Sequence, residues 1–213
     1  MGQEFAQYKE WNFQAQLDWE VLEFEPHLRY HNYVKAINKF YLDNPALWEC
    51  DTSWEGFHWI SAEDNQNSVI AFRRIARNKE ELIVVCNFQP VRHEIYEIGV
   101  PYYADYVEVF NSDNAEFGGS GITNGTVTAK EQPMHDEAYR ITLDIPPMSV
   151  MYLKPKNIRS PEDDRKKAEE AKKAEDAKKA SEETKKASEE KKTEEKKPED
   201  KKSEAKKAEK AAK

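Results

Sequence analysis

Two short stretches carry side chains able to do chemistry. In the first, Glu4, Gln7, Glu10 and Trp11 bring carboxylates, an amide and an indole into one run. Catalysis by a carboxylate pair, one a nucleophile and the other a proton donor, needs two carboxyl groups facing each other from separate elements. Glu4, Glu10 and the nearby Asp18 belong to one loop with no opposing scaffold, so no catalytic residue is assigned. In the second stretch Trp54, Phe57 and Trp59 crowd together, and an exposed indole offers an apolar face and a polar edge on which a sugar ring can stack. Trp54, between Ser53 and Glu55, is the candidate for exposure. Trp59, in His58-Trp59-Ile60, alternates with apolar positions and is expected in the core.

Other suggestive groups yield to plainer readings. Gly118-Gly119-Ser120-Gly121 lacks the Lys and the helix start of a phosphate-binding loop, and reads as a turn that needs positive φ. Five scattered His have no Cys or carboxylate partners at ligand spacing, so neither a metal nor another cofactor is expected. Cys86 lies in the apolar run Leu82-Ile83-Val84-Val85-Cys86 and reads as a small buried side chain. A bond between Cys50 and Cys86 stays open, although two unpatterned cysteines and no apolar leader point to a reduced, cytoplasmic protein.

Charge divides the chain in two. Of its 41 acidic and 33 basic residues, 17 and 19 fall in 162–213, leaving 24 and 14 in the first 161. An acidic body repels phosphate backbones, which argues against nucleic acid as a partner and leaves a neutral polyhydroxylated ligand open. All five Trp and all ten Tyr lie in that body, enough to build a core. No run approaches the ~18 apolar residues of a membrane-spanning helix.

The elements that must position these groups follow from periodicity. Tyr30, Tyr33, Val34, Ile37, Phe40 and Tyr41 repeat at helical spacing, and Asp43-Asn44-Pro45 stops the helix, because a residue before proline is pushed out of helical space. From about Trp48 the pattern is short strands. Val69–Phe72 and Leu82–Val85 flank a polar turn, Arg77–Glu80, and the second run is apolar on both faces as in a central strand. Strands are also expected around Tyr96–Val100, Tyr106–Phe110, Ile141–Ile145 and Ser149–Leu153. Short strands with Gly and Pro turns argue an antiparallel sandwich. After it, Ser160-Pro161-Glu162-Asp163 is a strong helix start, with a capping Ser and Pro at the first helical position. Glu/Lys pairs at i, i+4 then predict a charged helix to about Lys197, interrupted at Pro198 and without the apolar seam of a coiled coil.

Several blocks, in order, carry a resemblance: Met1-Gly2-Gln3-Glu4-Phe5-Ala6-Gln7-Tyr8-Lys9-Glu10-Trp11-Asn12, Leu17-Asp18-Trp19, Gly56-Phe57-His58-Trp59-Ile60, Val85-Cys86-Asn87-Phe88-Gln89-Pro90-Val91, Phe110-Asn111-Ser112-Asp113 and Leu143-Asp144-Ile145-Pro146-Pro147-Met148. Over roughly residues 1–155 the chain resembles the C-terminal portion of bacterial 1,4-alpha-glucan (glycogen) branching enzymes, in the alpha-amylase family. The resemblance implies a mainly β fold. Residues 1–48 would be the last loop and helix of a (β/α)8 barrel, 49–156 an antiparallel β-sandwich and 157–213 a charged helical tail. It implies that the family's catalytic carboxylates lie upstream, so that the chain is a truncated gene, a misassigned start, or part of a split enzyme whose barrel comes from a separate chain. Isolated, it is expected to be inactive. It also implies that Glu4, Gln7, Glu10 and Trp11 stand near the rim of a cleft for alpha-glucan (glycogen or maltooligosaccharide). Either they orient the glucan or, as is favoured, they tie down the loop. Trp19 is expected to be a packing anchor. From another class, the alternative is a non-catalytic glucan-binding or assembly module with a charged spacer.

Overall fold

The protein is seen in a computed structural model, which describes residues 1–10, 12–166, 169 and 172–173. Helix α1 (Glu25–Asp43) starts a turn earlier than its apolar stripe suggests, because Pro26 sits in the first turn, where its missing N–H costs nothing. It ends as expected: Asn44 turns extended ahead of Pro45, and its side-chain amide donates to the Phe40 carbonyl at 2.7 Å.

Among the described residues eight strands follow: β1 (Phe57–Asp64), β2 (Val69–Ile75), β3 (Glu81–Asn87), β4 (His93–Val100), β5 (Asp105–Asn111), β6 (Thr126–Thr128), β7 (Tyr139–Ile145) and β8 (Ser149–Lys156). All pair antiparallel. Six form a sheet in the order β1-β2-β3-β8-β5-β6, and β4 pairs with β7 in a second. Ile83, Val85, Met151 and Leu153 of the large sheet share one core with Ile98, Val100, Ile141, Leu143 and Ile145 of the small one. Near that core Arg73 reaches Glu81 at 2.7 Å and Glu137 at 3.1 Å, joining β2 and β3 to the turn before β7. Glu81 is 3% exposed, and burial raises its pKa against the opposing effect of Arg73. The same turn lies close over β4: a Cβ on Gly99 would sit 2.0 Å from the Met134 carbonyl oxygen.

β3 is apolar on both faces because both are covered. Its outer residue Val84 belongs to a cross-strand row, Trp59–Phe72–Val84–Tyr152–Phe110, set by the register of five strands. Helix α1 lies on one end of this row. Phe40 stands 5.0 Å from the rings of both Phe110 and Tyr152, and Tyr33 approaches Phe110 and Phe117. The stripe expected to face a barrel is therefore partly spent on the sheet, while Tyr30 and Tyr41 stay exposed.

The other end of the row is uncovered, which corrects the reading of Trp59. It was expected in the core and is 48% exposed, because it shares the outer face with Phe72 while Ile60 turns inward. The two register shifts of β1, between Trp59 and Ser61 and between Ser61 and Asp64, break strict alternation here.

Beyond the sandwich, residues 161–166 are helical, and the Ser160 hydroxyl accepts from the Glu162 amide at 3.3 Å as a cap. The expected run to Lys197 and the break at Pro198 lie outside the described residues.

Candidate functional site

The N-terminal loop is held by two histidines one helical turn apart on α1. His27 Nδ1 lies 2.9 Å from the Phe5 carbonyl, and His31 Nδ1 lies 3.0 Å from the Glu4 carbonyl. A carbonyl only accepts, so each Nδ1 carries the proton. In the neutral His27 ring Nε2 then accepts from the Tyr8 hydroxyl, 2.9 Å away. Gln7 is engaged at both ends: its amide donates to the Lys9 carbonyl at 3.0 Å, and its oxygen accepts from the Asp18 amide at 3.3 Å. Gly2 fits only as glycine, since it has φ +80° and a Cβ there would meet the Gln7 side chain at 2.3 Å. Asp18 pairs with Lys9 at 3.1 Å.

Gln7 thus ties the loop, while Glu10 is exposed on it and Glu4 is half-buried. Residues 1–3 and 6–10, with Tyr30, rim an open hollow of 800 Å³. Trp11 lies outside the described residues. Trp19 packs its ring 4.8 Å from the buried Phe5 while half its surface stays open, so it anchors on one face only.

A second surface lies at the uncovered end of the aromatic row. Trp54 is 84% exposed on the turn before β1. Phe57 links it to the sheet, edge-on to Trp54 at 6.4 Å and to Trp59 at 4.8 Å, and stacked on Phe72 at 5.2 Å. Trp54, Phe57 and Trp59 border a cleft of 430 Å³, whose polar wall is Asp51, Thr52, Ser53 and Arg74. Arg74 is committed: it donates to the carbonyls of Ala46 (3.3 Å) and Leu47 (2.9 Å) and pairs with Asp51 at 2.7 Å. The Asp51 carboxylate remains 59% exposed.

Of the residues singled out in the sequence, Gln7 and Glu10 line the loop hollow, and Glu4 does not. Trp54 borders a separate cleft that shares no lining residue with it. His27, His31, Asp51 and Arg74 were missed. Each acts through a backbone carbonyl or a single ion pair, which leaves no spacing signal in sequence.

The glycine-rich segment is a self-closed turn, with φ +91° at Gly118 and +78° at Gly121. The Asp113 carboxylate accepts from the Ser120 amide (3.0 Å), the Ser120 hydroxyl (2.6 Å) and the Ile122 amide (3.2 Å). A carboxylate at its centre opposes any anion. Both cysteines are free, and burial pushes the Cys86 thiol up to about 11, well away from nucleophilic use. Among the described residues no group of His, Cys, Asp and Glu could hold a metal, and no helix is long and apolar enough to cross a membrane.

Residues 59–156 match the family described as alpha amylase, C-terminal all-beta domain. The chain is 45% identical over 160 residues to the 1,4-alpha-glucan branching enzyme GlgB of Halothermothrix orenii, covering 74% of the chain and 25% of that protein. It is 45% identical over 157 residues to the enzyme of that name from Francisella tularensis subsp. novicida, covering 72% and 24%. To GlgB 2 of Clostridium perfringens strain 13 it is 44% identical over 160 residues, covering 73% and 24%. The chain spans about a quarter of the length of the curated relatives it matches.

Proposed function

From residues 59–156 as an alpha-amylase C-terminal all-beta domain, we propose that the chain serves as the C-terminal portion of a cytoplasmic 1,4-alpha-glucan branching enzyme, acting in glycogen biosynthesis. The observation that carries this reading is the 45% identity over 160 residues, a span longer than the β domain matched at 59–156. In branching, a carboxylate displaces the leaving 4-oxygen of one glucan, a carboxylic acid protonates it, and a 6-hydroxyl takes the place of water as acceptor. Those carboxyl groups are supplied from outside the residues matched here, by the catalytic barrel in the same or a separate chain.

This chain's part is positional. The loop at Glu4–Glu10, fixed by His27 and His31, borders the glucan path and sets its rim. Helix α1 and the sandwich form the rigid base beneath, since a misplacement of about 1 Å in a supporting element can cost a hundredfold in rate.

The test is a chimera in which residues 1–159 replace the corresponding quarter of the Halothermothrix orenii enzyme. New alpha-1,6 linkages, read by proton NMR, are expected on amylose. A chimera that folds and binds amylose yet makes no branches sinks the reading.

A second reading, a non-catalytic glucan-binding module, is favoured by one observation, the 84% exposure of Trp54. The two are compatible, since a glucan held on the sandwich raises its local concentration for the barrel.

A further inference from the structure

We propose that the turn at 134–137 is a proton-operated clasp on strand β4. Neutral His135 fastens it there, and a proton on that ring unfastens it while Glu137 keeps its hold. Mild acid then swings the turn about Glu137 instead of melting it.

The first attachment is one hydrogen bond. The Gly99 amide of β4 donates to His135 Nδ1 at 3.2 Å. An amide N–H only donates, so Nδ1 must be bare and the neutral ring carries its proton on Nε2. Imidazoles take up a second proton in the mildly acidic range, and here that proton sets N–H against N–H. Gly99 is buried, and a buried donor left without an acceptor is costly unless the structure moves to admit water. The turn lies directly on this backbone, since the Met134 carbonyl oxygen occupies the space beside Gly99 where a side chain would start. Water therefore reaches the amide only by displacing the turn.

The second attachment answers acid in the opposite sense. Glu137 pairs with Arg73 of β2 at 3.1 Å, and His58 Nε2 of β1 stands 3.8 Å from the same carboxylate oxygen. An imidazolium at His58 strengthens that hold. Across Arg73, burial raises the pKa of Glu81 of β3, so the folded state favours its protonated form, an effect present at low pH and lost as pH rises. Tyr102 and Tyr106 complete the groups that face Arg73, and Asp136 stands exposed on the turn itself. Down to about pH 5, above the ordinary carboxylate range, only the proton on His135 loosens the turn.

Two features keep the closed turn near balance. His135 and Asp136 both stand at positive φ, 52° and 60°, a conformation that strains a residue with a side chain. Glu81 Oε1 is buried with no hydrogen-bond partner among the described residues. One lost bond is then enough to open the turn.

The experiment follows backbone amides of the full chain by proton–nitrogen NMR from about pH 7.5 to about pH 5, with hydrogen exchange corrected for the intrinsic effect of pH. As the His135 ring titrates, the Gly99 amide is expected to shift in step and to lose about tenfold in protection, while Glu137 and the core amide of Val85 keep theirs. His135→Asn offers an acceptor that takes no proton and suits positive φ, so Gly99 should then be insensitive to pH. His58→Gln should let Glu137 lose protection together with Gly99 in acid. An unmoved Gly99 amide while His135 titrates overturns the clasp, and so does a pH response that survives in folded His135→Asn. Loss at Glu137 along with Gly99 in the wild type overturns the pivot. Equal loss at Val85 overturns a local device, since it means global unfolding.

Discussion

His27 Nδ1 stands 2.9 Å from the carbonyl of Phe5, a residue 22 positions earlier whose side chain is wholly buried. One imidazole thus joins the helix to the loop through main chain and, at its other nitrogen, through Tyr8. Replacing His27 by Phe keeps the ring but leaves a buried carbonyl unpaired, a loss of about 1–3 kcal/mol. Urea unfolding followed by Trp fluorescence should show that loss, and Tyr8→Phe should cost less. Equal stability of His27→Phe and wild type would show that the bond contributes nothing.

Phe40 should matter more than its place on a surface helix suggests, because it covers Phe110 and Tyr152 together. Full burial of Phe makes truncation to Ala cost about 3–5 kcal/mol, and partial burial here lowers the expectation to about 2–3 kcal/mol. The denaturation midpoint measures it. A loss under about 0.5 kcal/mol would mean that the helix contributes little to the sheet it covers.

Acid should act through Asp105. Hydrogen bonds from Arg159, then Asn157 and Thr128, hold its carboxyl at about 2, below the ordinary 3.8. The folded state therefore favours the ionised form, and its stabilising effect is complete above about pH 4 and lost as pH falls toward 2. Asp105→Asn should flatten the dependence of the melting temperature over that window. Parallel curves for variant and wild type would refute the assignment.

Gly99→Ala should loosen the turn over β4, because the new methyl would meet main-chain atoms of Met134 that cannot rotate away. Overpacking of this kind costs about 1–3 kcal/mol. Hydrogen exchange at the Glu137 amide, which donates to Met134 O at 3.0 Å, reports it locally. Unchanged protection there would show that the turn gives way without penalty.

The 213-residue polypeptide alone should form no branches. Asp18 is tied to Lys9, and Gln7 to its own loop. Long incubation with amylose, assayed for alpha-1,6 linkages, tests this, and activity abolished by Glu4→Gln would place chemistry in the loop after all.

The fold was legible where periodicity is local. The double-faced apolar run Leu82–Val85 and the alternation Ile141–Leu143–Ile145 marked β3 and β7, and Pro45 marked the end of α1. The insertion of β8 between β3 and β5 was not, since strand order depends on pairings tens of residues apart. At the candidate sites, Trp54 could be read as exposed from its polar neighbours. Trp59 could not be placed, because alternation tells which residues share a face but not whether a helix covers that end of it. Here α1 covers Phe110 and stops short of Trp59.

The register shifts in β1 reach beyond the local ladder. This strand ends the six-stranded sheet and carries an exposed indole, the combination that invites another chain to add a strand and begin an aggregate. A bulged edge offers no evenly spaced row of amides and carbonyls to copy. The irregularity that follows Trp59 thus also guards the sheet against templated self-assembly, so an aromatic surface can stay open to water without becoming a seed.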